Sequence, residues 1–500
     1  MDLNKVVVLV IGFVVFSELC LLGSANVVFH VQHKFGGSKR SLSEFKVHDS
    51  DRHRRFLSAV DLPIGGDGSP TSAAFWFLSL HWRPCAFSNL KSVYCYFWEF
   101  VISNLVGVDT GSDLLWVNCA GCSKCPKKSD LGISLALYNP EGSSTSKTVT
   151  CDQDICTSTL GAPSNDCKVG MECSYSVTYG DGSNTVGYFV RDTLQLDRVS
   201  GNLQTTFMNG SIAFGCGSQQ SGELGSSQQA LDGILGFGQA NSSVLSQLAS
   251  EKKVRKIFSH CLDGSQGGGI FAIGEVVQPK VQTTPMIPEA HYNVELKAIE
   301  VDGDVLQLPT DIFDVGEKRG TIIDSGTTLA YLPDLVYKQV LAKIDAAQPN
   351  IRSHIVEQQF TCYKYSGNVD RGFPDVIFHF ENSLSLKVRP SQYLFEVEDE
   401  DWCVGFQDSD LQSQGKEITL LGDLVLTDKL VTYDLEKKTV GWTDYNCSSS
   451  IKVKDEESGN VYSVSAHNLS PAERISTSTG IVVSCFMFLL MANFINPRIN

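Results

Sequence analysis

Residues 103–119 read SNLVGVDTGSDLLWVNC, and what Asp109 does there decides the fold. Apolar residues precede it (Val106, Val108) and follow it (Leu114, Leu115), and Thr110, Gly111 and Ser112 come directly after. The same order returns at residues 320–332, GTIIDSGTTLAYL, where Asp324 is followed by Ser325, Gly326 and Thr327. Each copy is trailed, about 100 to 125 residues on, by an apolar-glycine element: LDGILGFG around Gly233 and ITLLGDLVL around Gly422. One such Asp would be weak evidence. Two, each with the same trailing element, are an internal duplication.

The residue types suit one chemistry. An Asp on a tight loop after a buried strand points into a cleft, and Gly111 and Gly326 allow close backbone approach. The hydroxyls of Thr110, Ser112, Ser325 and Thr327 can hold the carboxylates in plane. If the halves pack about a pseudo-twofold axis, Asp109 and Asp324 meet. Two carboxylates about 3 Å apart share one proton and titrate as a unit. The ionised member can take a proton from water while the protonated one donates to a peptide carbonyl. No cofactor, metal or covalent intermediate is required.

The rest of the chain frames this site. Five hundred residues predict about two domains plus processed ends. Short apolar runs between Gly, Ser, Asn and Asp predict mostly β structure. HYNVELKAIEVDGDVLQL and KLVTYDLEKKTVGW read as hairpins, and a helix is expected near 333–346. A net charge of -16 argues against a nucleic-acid partner. Residues 1–25 read as a signal peptide and 26–68 as a basic, removable prosegment. Residues 448–479 read as a polar spacer before an apolar tail at 480–500. That layout fits a glycolipid-anchor signal, with a short span as the alternative. The expected location is the secretory pathway and the outer face of the plasma membrane.

Of 16 cysteines, Cys20 falls in the signal peptide, Cys485 in the tail, and Cys85 and Cys95 at 74–101. The other twelve imply about six disulfides in an oxidising compartment. The close spacing of Cys119, Cys122 and Cys125 could suggest zinc, but such a site needs reduced thiolates. Asn209, Asn241 and Asn446 head glycosylation sequons, as does Asn468, where Pro471 counts against use.

On these motifs the chain resembles the pepsin-like aspartic proteases over about residues 106–447. It is most similar to cysteine-rich plant members of the nepenthesin type and their membrane-anchored relatives. The resemblance implies an all-β, bilobal fold: two pseudo-twofold-related lobes, 69–285 and 286–447, with the active-site cleft between them. It implies a monomeric acid endopeptidase acting on proteins or peptides through Asp109 and Asp324. Tyr179, in SVTYGDGS, matches the flap tyrosine, and Trp116 matches the tryptophan that bonds it. Ser112 matches the serine orienting the first carboxylate. Cys362 with Cys403, and Cys261 with Cys447, match the second-lobe and lobe-joining disulfides. The pairing of the eight cysteines from 119 to 216 stays open. In such zymogens the prosegment's positive charges sit in the cleft and are released as carboxylates protonate.

One stretch departs from the family. Residues 74–101, AFWFLSLHWRPCAFSNLKSVYCYFWEFV, hold ten aromatic residues in 28 and lack the family's Gly-x-Pro-Pro turn. His81, Arg83, Lys91 and Glu99 rule out a membrane span. Three readings of 74–105 remain: a mis-spliced, non-family segment, a divergent insertion that still supplies strands, or an adapted binding surface. The first leaves an inactive product as an alternative. A catalytically impaired binding or inhibitor protein of the same fold is another.

Overall fold

The computed structural model describes residues 26–30, 58–60, 76–80 and 99–102 and most of 106–471. Within that last span, 130–134, 161–166, 180–182, 228–230, 265–268, 317–318, 357–359, 399, 410–416, 457 and 466–469 are outside the description. So are the expected signal peptide, most of the expected prosegment, the apolar tail, Asn468, and Cys20, Cys85, Cys95 and Cys485.

The duplication in sequence is a duplication in register. Strand Val106–Asp109 runs parallel to Gly233–Gly236, with Asp109 beside Gly236. Strand Arg319–Ile323 runs parallel to Glu417–Leu421, with Ile323 beside Leu421. In each lobe a third strand, Trp116–Ser123 or Ala330–Leu332, then turns antiparallel to the trailing one. The trailing glycines are required by this crossing. A Cβ at Gly236 would lie 2.3 Å from the Asp113 carbonyl carbon, and one at Gly422 2.2 Å from the Leu329 oxygen. No side chain fits at either place.

The two lobes share a six-stranded antiparallel sheet. Its order is Val27–His30, Gly269–Ile273, Ile257–Leu262, Lys429–Asp434, Thr439–Asp444 and Gln282–Ile287. The seam between lobes is the pairing of Ile257–Leu262 with Lys429–Asp434. Alternate side chains of this sheet enter two different cores. Phe258, Phe271, Ile273, Val431 and Tyr433 belong to the large core under the cleft. Val28, Cys261, Ile270, Ala272 and Leu430 face the other way, onto Ile451, Val453 and Val464.

Both chain ends contribute strands to the described structure. Residues 27–30 of the expected prosegment form an edge strand of the central sheet, with Val27 and Val28 buried. Within the expected spacer, Ile451–Lys454 and Val461–Val464 pair as a hairpin that extends from Val276–Gln278. Apolar area on the lower face of the sheet needs a cover, and this hairpin supplies it. Charges fasten its tip. Arg255 bonds Glu436 (2.6 Å), Glu275 (3.1 Å) and Glu456 (3.2 Å), and Arg198 reaches Asp455.

In the stretch 74–105, the backbone forms strands Trp76–Leu80 and Glu99–Ile102, paired with each other. The first also pairs with Asn184–Gly201. Two 18-residue strands, Asn184–Gly201 and Gln204–Ser221, form the backbone of the first lobe. The second lobe carries the expected helix at Asp334–Ala347, burying Val336, Val340 and Ile344. Both expected hairpins form, the first turning at Asp302 and Gly303 with positive φ.

Ile451→Ala, at a fully buried position, tests whether this hairpin belongs to the fold. It should cost about 2–5 kcal/mol, read as a lower midpoint in denaturant unfolding; a true spacer would leave the midpoint unchanged.

Candidate active site

Each Asp ends or follows a buried strand, and its loop folds back to supply donors. The Gly111 amide donates to Asp109 Oδ1 at 2.8 Å, and the Ser112 hydroxyl to Oδ2. In the second lobe the Gly326 amide donates to Asp324 Oδ1 at 2.8 Å, and Thr327 Oγ1 to Oδ2 at 2.9 Å. The spacing from Asp to amide and hydroxyl is the same in both loops, two and three residues on. A carboxylate buried without such donors would be very costly.

The carboxylates converge. A Cβ placed on Gly111 would sit 3.1 Å from Asp109 Oδ1 and 3.1 Å from Asp324 Oδ2. Asp109 and Asp324 are both buried, at 0% and 1% exposure. A third residue ties the loops across the seam. Thr110 Oγ1 donates to Asp324 Oδ1 at 3.0 Å and accepts the Ser325 amide at 2.9 Å. The Ser325 hydroxyl lies 3.4 Å from the same oxygen.

Above this floor, the Trp116 indole donates to the Tyr179 hydroxyl at 2.7 Å. Both rings are buried with Tyr175, Phe189 and Ile234 in a small separate core. The Tyr179 amide bonds the Ser183 carbonyl at 2.9 Å, at the turn end of a hairpin between Ser174–Thr178 and Asn184–Gly201.

Several residues of the site carry no signal in the motif itself. Asp113 Oδ1 accepts the Ala240 amide at 2.8 Å, and burial raises its carboxyl above the usual range. Tyr292 donates to the Phe237 carbonyl at 2.6 Å. Tyr433 is fully buried against Phe258 and Tyr292, and burial lifts its phenol well above its usual range, so it stays protonated. Its place could not be read from VTYD, which looks like any strand.

The twelve described cysteines are all paired. Cys119 pairs with Cys216, Cys122 with Cys125, Cys151 with Cys167 and Cys156 with Cys173. Cys362 pairs with Cys403, and Cys261 with Cys447 across the lobes. The close trio Cys151, Cys156 and Cys167 is thus disulfide-bonded rather than available as metal ligands. Asn209, Asn241 and Asn446 are exposed, Asn209 within a strand rather than a turn.

Comparison with known proteins gives consistent matches. A family model described as xylanase inhibitor N-terminal matches residues 102–275, and one described as xylanase inhibitor C-terminal matches 291–444. Aspartic proteinase 36 of Arabidopsis thaliana is 47% identical over 479 residues, covering 95% of each chain. Aspartic proteinase 39 of the same plant is 47% identical over 491 residues, covering 98% of each. Nepenthesin-2 of Nepenthes gracilis is 28% identical, covering 69% of this chain and 74% of its own. A solved structure titled "Crystal structure of edgp" superposes with a TM-score of 0.60 at 17% identity. It covers 90% of this chain and 99% of that one, a likeness of fold.

Thr110→Val should strand the Ser325 amide and remove a donor from Asp324. The expected loss is about 1–3 kcal/mol per unsatisfied group, read as a lower melting temperature. Thr110→Ser should restore most of it.

Proposed function

The chain belongs to the pepsin-like aspartic protease family of plants, and on that premise we propose that it is an acid endopeptidase. The observation that supports this most directly is the convergence of two buried, hydrogen-bonded carboxylates on Gly111. Nothing structural asks for two acids there; burying them has a cost that a reaction would justify.

In this reading one proton is shared by Asp109 and Asp324. The ionised carboxylate takes a proton from water, whose oxygen attacks the scissile carbonyl carbon. The protonated carboxyl gives its proton to the carbonyl oxygen, forming a neutral diol. Breakdown cleaves the C–N bond as a proton passes to the leaving nitrogen, and the pair regains its starting state. Thr110, Ser112, Ser325 and Thr327 hold the acids in place. Tyr179 and Trp116 support a flap over an extended substrate whose backbone pairs with cleft strands.

We also propose a secreted monomer, glycosylated at Asn209, Asn241 and Asn446, made as a zymogen and tethered by a lipid anchor after loss of the apolar tail. Among the described residues no helix is long and apolar enough to cross a membrane.

The second reading, a binding or inhibitor protein, is favoured by the descriptions of the two matching family models. Against it stand the intact acids and their complete set of donors.

One assay separates the two. Acid-treated protein should cleave a denatured protein substrate near pH 4, and pepstatin should block it. Asp109→Asn should lower the rate by at least about a thousandfold, given what acid-base groups acting together contribute. A folded wild type without activity would favour the inhibitor.

A further inference from the structure

We propose that the groove between helices Asp154–Leu160 and Val244–Ser250 is a carbohydrate site, and that its occupant is the glycan carried on Asn241 of the same chain. This rests on the proposed glycosylation of Asn241.

One short run of sequence sets both the attachment point and the groove. In Asn241-Ser242-Ser243, Ser243 completes the sequon and also caps the helix that follows, its hydroxyl accepting the Ser246 amide at 3.3 Å. Asn241 is exposed and is itself part of the groove's lining. The helix has seven residues and is about 10 Å long. It buries Val244, Leu245 and Leu248 in the core. Ser246, Ala249 and Ser250, three and four residues apart, share another side and line the groove. Asp154 and Ile155 of the other helix line it too, as do Arg191 and Ser211 of the two long strands. The cavity holds about 740 Å³, within the range of roughly 300–1,000 Å³ found for small-molecule clefts.

The lining suits a neutral, polyhydroxylated ligand. Ser246 is 3% exposed, and its hydroxyl has no hydrogen-bond partner among the described residues. A buried hydroxyl left this way costs free energy that a ligand's hydroxyl can recover. Charges of both signs stand around the cavity, Arg191 and Lys252 against Asp154 and Glu251. An anion would meet the two carboxylates and a cation the two bases, whereas sugar hydroxyls both donate and accept. Ile155 and Ala249 offer apolar surface to the C–H face of a ring. The tether picks out one sugar. A glycan bonded to the lining is held at an effective concentration on the order of millimolar, so a contact too weak for a free sugar is still occupied. Asn209 and Asn446 are exposed but are not part of this lining.

The test uses the full chain secreted from cells that make only oligomannose glycans. Endoglycosidase H is applied to folded and denatured protein, and the glycan left at each sequon is followed by peptide mass spectrometry. Asn241 should be trimmed at least about tenfold more slowly in the folded chain, the protection given by a glycan docked about nine-tenths of the time. Ser211→Trp and Ser250→Trp each fill the groove, from a strand and from the helix, and should abolish most of that protection. Asn241→Gln should lower the melting temperature by about 2 °C or more, and by no further amount in a chain that already carries Ser250→Trp. Equal trimming of Asn241 in folded and denatured wild type would overturn the proposal, and so would protection that both Trp variants leave unchanged. An unmodified Asn241 in the secreted chain would sink the glycosylation reading itself. If neither Trp variant is secreted, Asn241→Gln decides, and an unchanged melting temperature overturns the docked glycan.

Discussion

The structure depends on one contact across the lobes: the Thr110 hydroxyl on Asp324, with the Ser325 amide on the same Thr110 oxygen. Neither lobe can form it alone. Each loop satisfies most of its own carboxylate from within, through an amide and a hydroxyl two and three residues along. What a loop cannot set is where its partner stands. A hydrogen bond weakens steeply with misalignment, so the lobes must be held to within fractions of an ångström.

The central sheet supplies that constraint. Its two middle strands come from different lobes and pair over five residues. Cys261, on the first of them, is bonded to Cys447, and that bridge spans 186 residues of chain. The loops carrying Asp109 and Asp324 sit on the same core as the upper face of this sheet. Position is thus passed from seam to site through packed rings: Phe258, Tyr292 and Tyr433. Close packing of this kind transmits displacement rather than absorbing it.

How much of this was legible depended on whether the determinants were local. The two Asp loops were legible because each is built from four consecutive residues and occurs twice. The helix and the two hairpins were legible from spacing within about 15 residues. Disulfide pairing was not: eight cysteines allow 105 arrangements, and only the folded lobe selects Cys119 with Cys216. The hairpin at 451–464 was illegible for a different reason. IKVK does alternate, with Ile451 and Val453 turned inward, but its outward lysines and the acidic turn after it read as solvated chain. The meeting of His260 and Tyr433 across the seam was illegible because 173 residues separate them and neither belongs to a recurring motif.

The alternation that hid the hairpin also explains why the chain ends belong to the working structure. A strand buried on both faces needs two covers. On the upper face, the cover is the body of the two lobes and the reaction site above it. On the lower face, Ile270, Ala272, Cys261 and Leu430 cluster with Val28, Val199, Cys447 and the hairpin residues Ile451, Val453 and Val464. Without residues 451–464, that face would meet water directly beneath the seam on which the Thr110–Asp324 bond depends. A segment cut from the expected prosegment would have the same effect at the edge if it took Val27 and Val28 with it. Any processing that leaves an active dyad must therefore spare these strands or put another strand in the place of Val27–His30.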